Sequence, residues 1–152
     1  MRLTVELVKQ VPCALRKPFI VKVIQDTLVS SGYNTLGDGN ISVNVVFVSP
    51  DDITKLNKSY RRKNKVTDVL SFPEYPNTKT LVEVVSEPVF LGDLIICYDY
   101  IVQSSKEDEV SLEQEMAYII SHGVLHLLGF RHSKKMFSIQ DTVSEIYTHN
   151  TL

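Results

Sequence analysis

Residues 111–132 read SLEQEMAYIISHGVLHLLGFRH. Met116, Ala117, Ile120, Val124, Leu127 and Leu128 recur at three- and four-residue steps, the spacing that lines one face of an α-helix. Ser111 and Gln114 stand at capping-box spacing where that pattern begins. Gly129 follows its last apolar position, and a residue without Cβ can take the left-handed conformation that ends a helix. The stretch therefore predicts a long amphipathic helix closed by a glycine turn. His122 and His126 lie four residues apart on it, one turn above the other on one face.

Further helices and strands follow outward. A last helix is expected from about Lys134 to Tyr147. Upstream, Leu3 to Leu7 alternates and reads as a strand. Pro18 opens a helical pattern through Ile20, Val21, Ile24, Leu28 and Val29, with Gly32 as its stop. Ile41, Val43 and Val45 lead into a second strand ending at Val48. Ser49-Pro50-Asp51-Asp52 starts a helix to about Tyr60, with a cap, a proline at the first position and acids in the first turn. Val66 to Phe72 is a third strand, ended by Pro73. Glu74 to Glu87 is expected to be a long loop or hairpin. Val89 to Cys97 is a fourth strand, with Gly92-Asp93 as a bulge or close approach. A short helix covers Tyr98 to Lys106. Strands come mostly first and helices mostly last. That order predicts an α+β fold: a small mixed four-stranded sheet packed with about five helices, the site at the end of a central helix.

The chain has 152 residues, the size of one domain, taken as 1–152. Apolar residues make up 43% and charged residues 22%, the balance of a soluble globular protein. No apolar run reaches membrane-span length. Met1 to Gln10 shows neither an apolar h-region nor a small-residue cleavage site. A cytoplasmic location is expected, without a membrane partner. Cys13 and Cys97 match no zinc or redox spacing and read as free thiols. Net charge is −2, which does not announce a nucleic-acid binder. It hides a local run of cations, however: Lys55, Lys58, Arg61, Arg62, Lys63 and Lys65.

The chemistry centres on residues 122–132. Two imidazoles on one helical face can reach one metal ion. The turn at Gly129 can bring back His132 as a third ligand. Three protein ligands leave a fourth tetrahedral position open, the arrangement of a catalytic zinc site. The chain has four histidines and three fall in this template. Chance would place them so in roughly three of a thousand such chains. His122 alone would read as a satisfied core histidine; the triple does not. The spacing is close to the long zinc motif of metalloproteases, which place Glu after the first His as general base. Here that position is Gly123, which cannot take a proton.

The same segment resembles the signature of the YbeY family of bacterial metal-dependent endoribonucleases, which also has Gly after the first His. LNKSYR at 56–61 and TDVLSFP at 67–73 look like that family's second block, and LGDLI at 91–95 like its third. The blocks come in family order across about half the chain. The resemblance implies a compact α+β domain in which His122, His126 and His132 bind one metal ion, usually taken as zinc. It implies that Arg61, His122 and His126 are catalytic. It also implies action on single-stranded RNA, in small-subunit ribosomal RNA maturation and ribosome quality control, alongside ribosomal proteins or assembly factors. The alternative is a zinc-stabilised RNA-binding assembly factor with little catalysis; a metallopeptidase is a third option. One departure is visible. The family commonly has Asp before the third histidine, and here stands Arg131, a cation where a carboxylate could support a ligand.

Residue chemistry adds weight to parts of this. A guanidinium such as that of Arg61 binds phosphate through two parallel hydrogen bonds, although a solvated surface arginine is its plainer reading. The surrounding cations suit an RNA backbone or simply a soluble loop. Tyr60 can stack on an unpaired base. Asp68 and Asp93 can each orient a ligand or water, or make a local turn bond.

Overall fold

The structure, a computed structural model, describes residues 1–83 and 88–148. Its elements are β1 (Arg2–Lys9), α1 (Lys17–Ser31), β2 (Asn40–Val48), α2 (Pro50–Arg61), β3 (Val69–Pro73), α3 (Thr78–Val82), β4 (Val89–Cys97), α4 (Tyr98–Glu107), α5 (Leu112–Leu127) and α6 (Lys134–Glu145). The strands lie in the order β1-β2-β4-β3. β1, β2 and β4 are mutually parallel, joined by helical crossovers of the kind parallel neighbours require. β3 runs antiparallel to β4 and forms one edge of the sheet. This is the expected α+β architecture, with a mixed sheet of four strands.

Strand side chains alternate between two faces. Val43, Val45 and Phe47 of β2, Val69 of β3, and Leu94 and Ile96 of β4 join a large core with apolar residues of α1, α5 and α6. The alternate residues Val46, Val48, Leu70, Phe72, Ile95 and Cys97 meet Ile53 and Leu56 of α2 in a smaller cluster. Thus α5 and α6 cover one face and α2 the other, and edge strand β3 runs between their banks.

Local chemistry explains the element ends. The Ser49 hydroxyl accepts from the Asp52 amide at 3.1 Å and starts α2; Ser111 does the same for Gln114 at 3.1 Å and starts α5. At the bulge between β2 and β4, the register passes from Ser42↔Phe90 to Asn44↔Asp93. Gly92 sits there, and a Cβ would lie 2.2 Å from the Phe72 carbonyl oxygen, so the close approach and the bulge are one feature. Both cysteines are free, and burial pushes both thiols up.

Two boundaries differ from expectation. β3 starts at Val69 rather than Val66. The Asp68 carboxylate accepts from the Val69 amide at 2.7 Å, a local bond that competes with ladder pairing. The segment expected to be a loop from Glu74 carries α3, whose start is capped by Asn77 accepting from the Thr80 amide at 2.8 Å. Residues 84–87 of that expected loop lie outside the described residues. Among the described residues no helix is long and apolar enough to cross a membrane.

Candidate metal centre

α5 presents His122 and His126 on one face, with Nε2 atoms 3.0 Å apart. The helix then ends in a Schellman turn: the Phe130 amide donates to Leu125 O at 2.9 Å and the Gly129 amide to His126 O at 3.0 Å. Gly129 has φ +92°, and a Cβ there would stand 2.4 Å from Thr78 Oγ1. Both the reversal and the contact require glycine. The reversal returns His132, whose Nε2 lies 3.2 Å from that of His126. The three ligand atoms all fall within 4.8 Å of one another.

These distances suit one small cation. Nitrogens bonded at 2.0–2.1 Å in tetrahedral directions stand about 3.3 Å apart. The second nitrogen of each helical imidazole is already engaged. Phe130 O accepts from His126 Nδ1 at 3.0 Å, and Gln140 Oε1 accepts from His122 Nδ1 at 3.3 Å. Both oxygens can only accept, so Nδ1 carries the proton and Nε2 keeps its lone pair for a metal. Burial, first of all, holds both rings below the ordinary imidazole value, and neighbouring histidines and the Arg61 charge act in the same direction. At neutral pH these rings are uncharged, which is the ligand form.

The nitrogens face a cleft of about 550 Å³. Tyr60 and Arg61 of α2 line it, with Thr67, Asp68 and the β3 edge from Val69 to Pro73. All six residues of the cationic run are exposed. Buried Asn57 donates to the Lys65 carbonyl at 2.9 Å, folding the basic loop back against α2. Of the two weaker candidates, Asp68 lies in the cleft, with one oxygen spent on Val69. Asp93 lines no part of it and accepts from Asn44 Nδ2 at 2.9 Å. Arg131 is exposed, and the cation whose charge acts on His122 and His126 is Arg61.

Three supporting residues were not visible in the sequence. Thr78 of α3 donates to Leu128 O at 2.6 Å and braces the turn. Ser71 of β3 donates to Gly123 O at 3.1 Å. Gln140 of α6 is fully buried and orients His122. Each lies far from its partner along the chain, and no short-range motif announces it. For Gln140→Leu, zinc affinity is expected to fall about tenfold, the usual cost of losing an outer-shell partner. Competition with a chromophoric chelator measures it, and unchanged affinity would remove Gln140 from the site.

A separate titration belongs to the start of α5. Glu115 has one carboxyl oxygen buried without a partner. Burial, then a hydrogen bond with Asp108 and its charge, pushes this carboxyl up to about 7. The folded state therefore holds this proton more tightly than the unfolded chain, and stability falls as pH rises from 4.5 towards about 7. Glu115→Gln abolishes that loss. Because the group is partly screened by solvent, the expected gain at about pH 8 is about 1 kcal/mol, or ~3 °C in Tm. Melts at several pH values should show the gain fading below pH 4.5.

Fold and site together define a class: α+β proteins with a three-histidine cluster able to hold a metal ion in a cleft that an arginine also lines. Residues 9–148 match the family described as Endoribonuclease YbeY. Endoribonuclease YbeY from Caldicellulosiruptor bescii is 42% identical over 117 residues, 74% of each chain. Its namesake from Staphylococcus aureus strain JH9 is 35% identical over 132 residues, covering 83% of this chain and 85% of the relative. The solution structure of TM1509 from Thermotoga maritima superposes with a TM-score of 0.58 at 25% identity, over 93% of this chain and 87% of that one. The chain belongs to the YbeY endoribonuclease family.

Proposed function

We propose that this chain is a single-domain, zinc-dependent endoribonuclease that cleaves single-stranded RNA during small-subunit ribosomal RNA maturation and quality control in the cytoplasm. One observation carries the reading: three imidazole Nε2 atoms converge in a cleft that Arg61 also lines. His122, His126 and His132 would hold the ion. When bound, zinc lowers the pKa of water to about 7 and polarises a phosphoryl oxygen.

The chain's own groups do the rest. Arg61 ends α2 at the cleft, where its fork of N–H donors can take two oxygens of the scissile phosphate. Charge gathers on those oxygens as the phosphorus is attacked, so the contact strengthens in the transition state. Lys58, Arg62, Lys63 and Lys65 are exposed around it and suit the flanking phosphates. Phe130 O and Gln140 keep the two helical imidazoles in the ligand tautomer. The names of the relatives support the endoribonuclease reading.

The test is metal analysis and RNA cleavage on protein purified without a histidine tag. About one equivalent of zinc is expected, with cleavage of an unstructured oligonucleotide. Arg61→Ala should keep the zinc and lose about 10²–10³-fold in kcat, the usual cost of one transition-state donor. In cells lacking the chain, unprocessed small-subunit precursor should accumulate, and His126→Ala should fail to clear it. Zinc-loaded protein that leaves single-stranded RNA intact would sink the enzyme reading in favour of an RNA-binding assembly factor.

A further inference from the structure

Two exposed aromatic rings that the core does not need lie near the histidine cluster, one lining the cleft and one beside His132. On α2, Tyr60 lines the cleft and is 67% exposed. Phe72 of β3 holds it edge to face, with ring centroids 5.1 Å apart and an interplanar angle of 75°. The ring is thus fixed in direction but largely bare. On α6, just outside the residues that line the cleft, Phe137 is 41% exposed in the first turn of the helix. Its ring centroid lies 5.8 Å from that of His132, the third ligand candidate, at a 38° tilt. Cations accompany both rings: Arg61 and Arg62 follow Tyr60, while Arg131, Lys134 and Lys135 precede Phe137, and all five are exposed. The chain as a whole carries a net charge of −2, so the cations beside these two rings are a local excess.

A single exposed aromatic ring needs no explanation, but here two lie near one histidine cluster with cations next to each in sequence. Lysine and arginine beside an aromatic face suit one kind of partner: a polyanion with flat apolar groups spaced along it. Single-stranded nucleic acid has that composition, and its unpaired bases stack on aromatic side chains. In a duplex the same bases are stacked on one another and are not offered to a side chain.

We infer that Tyr60 and Phe137 form a base clamp. Tyr60 stacks the base on one side of the scissile phosphate and Phe137 the base on the other, with the histidine cluster between them. The clamp rests on the ribonuclease reading above and adds to it the residues that select unpaired RNA. It assigns Phe72 a supporting role, since that ring sets the direction of Tyr60 and touches no base.

The experiment uses the full chain and a fluorescent 12-nucleotide RNA without secondary structure. Binding is followed by anisotropy on the zinc-loaded protein at 4 °C, before cleavage sets in, and cleavage is followed separately at a higher temperature. Both rings are exposed, so Tyr60→Leu and Phe137→Leu are expected to fold, and melting curves check it. Each should weaken single-strand binding about tenfold, leave zinc content unchanged, and leave the weaker affinity for a duplex of the same length where it was. Tyr60→Trp should restore binding. A single abasic residue moved along the RNA should weaken wild-type binding most at two positions. The penalty at one should vanish in Tyr60→Leu and at the other in Phe137→Leu. Single-strand affinity within twofold of wild type in both variants, or abasic penalties that persist in them, would overturn the clamp while wild-type cleavage leaves the nuclease reading standing. A wild-type protein that neither binds nor cleaves the single strand would remove both.

Discussion

His126→Ala is expected to weaken zinc binding about a hundredfold to a thousandfold and to take RNA cleavage down with it. His126 is the hub of the cluster, its Nε2 lying 3.0 Å from that of His122 and 3.2 Å from that of His132. Without it, two imidazoles remain on different elements, α5 and the turn before α6. Four-ligand zinc sites in small peptides are worth about 10–16 kcal/mol. One ligand in four is then worth roughly 2.5–4 kcal/mol, about a hundredfold to a thousandfold in affinity. The substitution also frees Phe130 O, at a cost to stability of about 1 kcal/mol. His132→Ala provides the control, because His132 is exposed and its loss should spare the fold. Metal content by mass spectrometry and cleavage of the same RNA read both variants. Full zinc occupancy in either variant at equal free metal would show that the three rings do not share an ion.

The second large effect concerns the glutamate that metallopeptidases carry and this chain lacks. Gly123→Glu is expected to yield protein that does not fold, and no peptidase. Gly123 is buried in α5 where the helix lies on the sheet. A Cβ there would come 2.8 Å from Leu94 Cδ2 and 3.3 Å from both Ser71 Oγ and Val69 Cγ2. Glycine inside a helix costs about 0.5–1 kcal/mol relative to alanine, and this close packing is the reason it is kept. Overpacking costs about 1–3 kcal/mol, and a carboxylate buried without a partner several more. Against a typical stability of about 5–15 kcal/mol that sum is decisive. The milder Gly123→Ala should fold with a Tm lowered by several degrees. Thermal melts and a casein assay with a chelator control test the pair. A folded Gly123→Glu protein that digests casein would revive the peptidase option. The missing base is therefore a matter of space as well as chemistry: a side chain at 123 would run into Leu94 of β4 and Val69 and Ser71 of β3.

Much of the fold was legible because its signals are local. Ser49-Pro50 and Ser111 mark helix starts through bonds that span three residues. The apolar stripes of α1 and α5 and the alternation in β2 repeat over one element. The failures were equally local in origin. At Val66 to Asp68 a β-branched pattern lost to the bond between Asp68 and the Val69 amide. At α3, a helix of five residues has too little periodicity to be read, and its packing against Gly129 provides what propensity does not.

The divide runs along sequence separation. The chain by itself determined that two imidazoles share a helical face and that a glycine reverses the backbone before a third, since these follow from a helical repeat and one missing Cβ. Tertiary structure alone decided which nitrogen of His122 points inward, because the acceptor that holds it, Gln140, comes from α6, whereas Phe130 O reaches His126 within one turn. It also decided that Arg61 and Tyr60 face the histidines, because the two helices concerned pack on opposite sides of the sheet and meet only across edge strand β3. Contacts of that kind join residues some fifty or more positions apart, and no periodicity within one element encodes them.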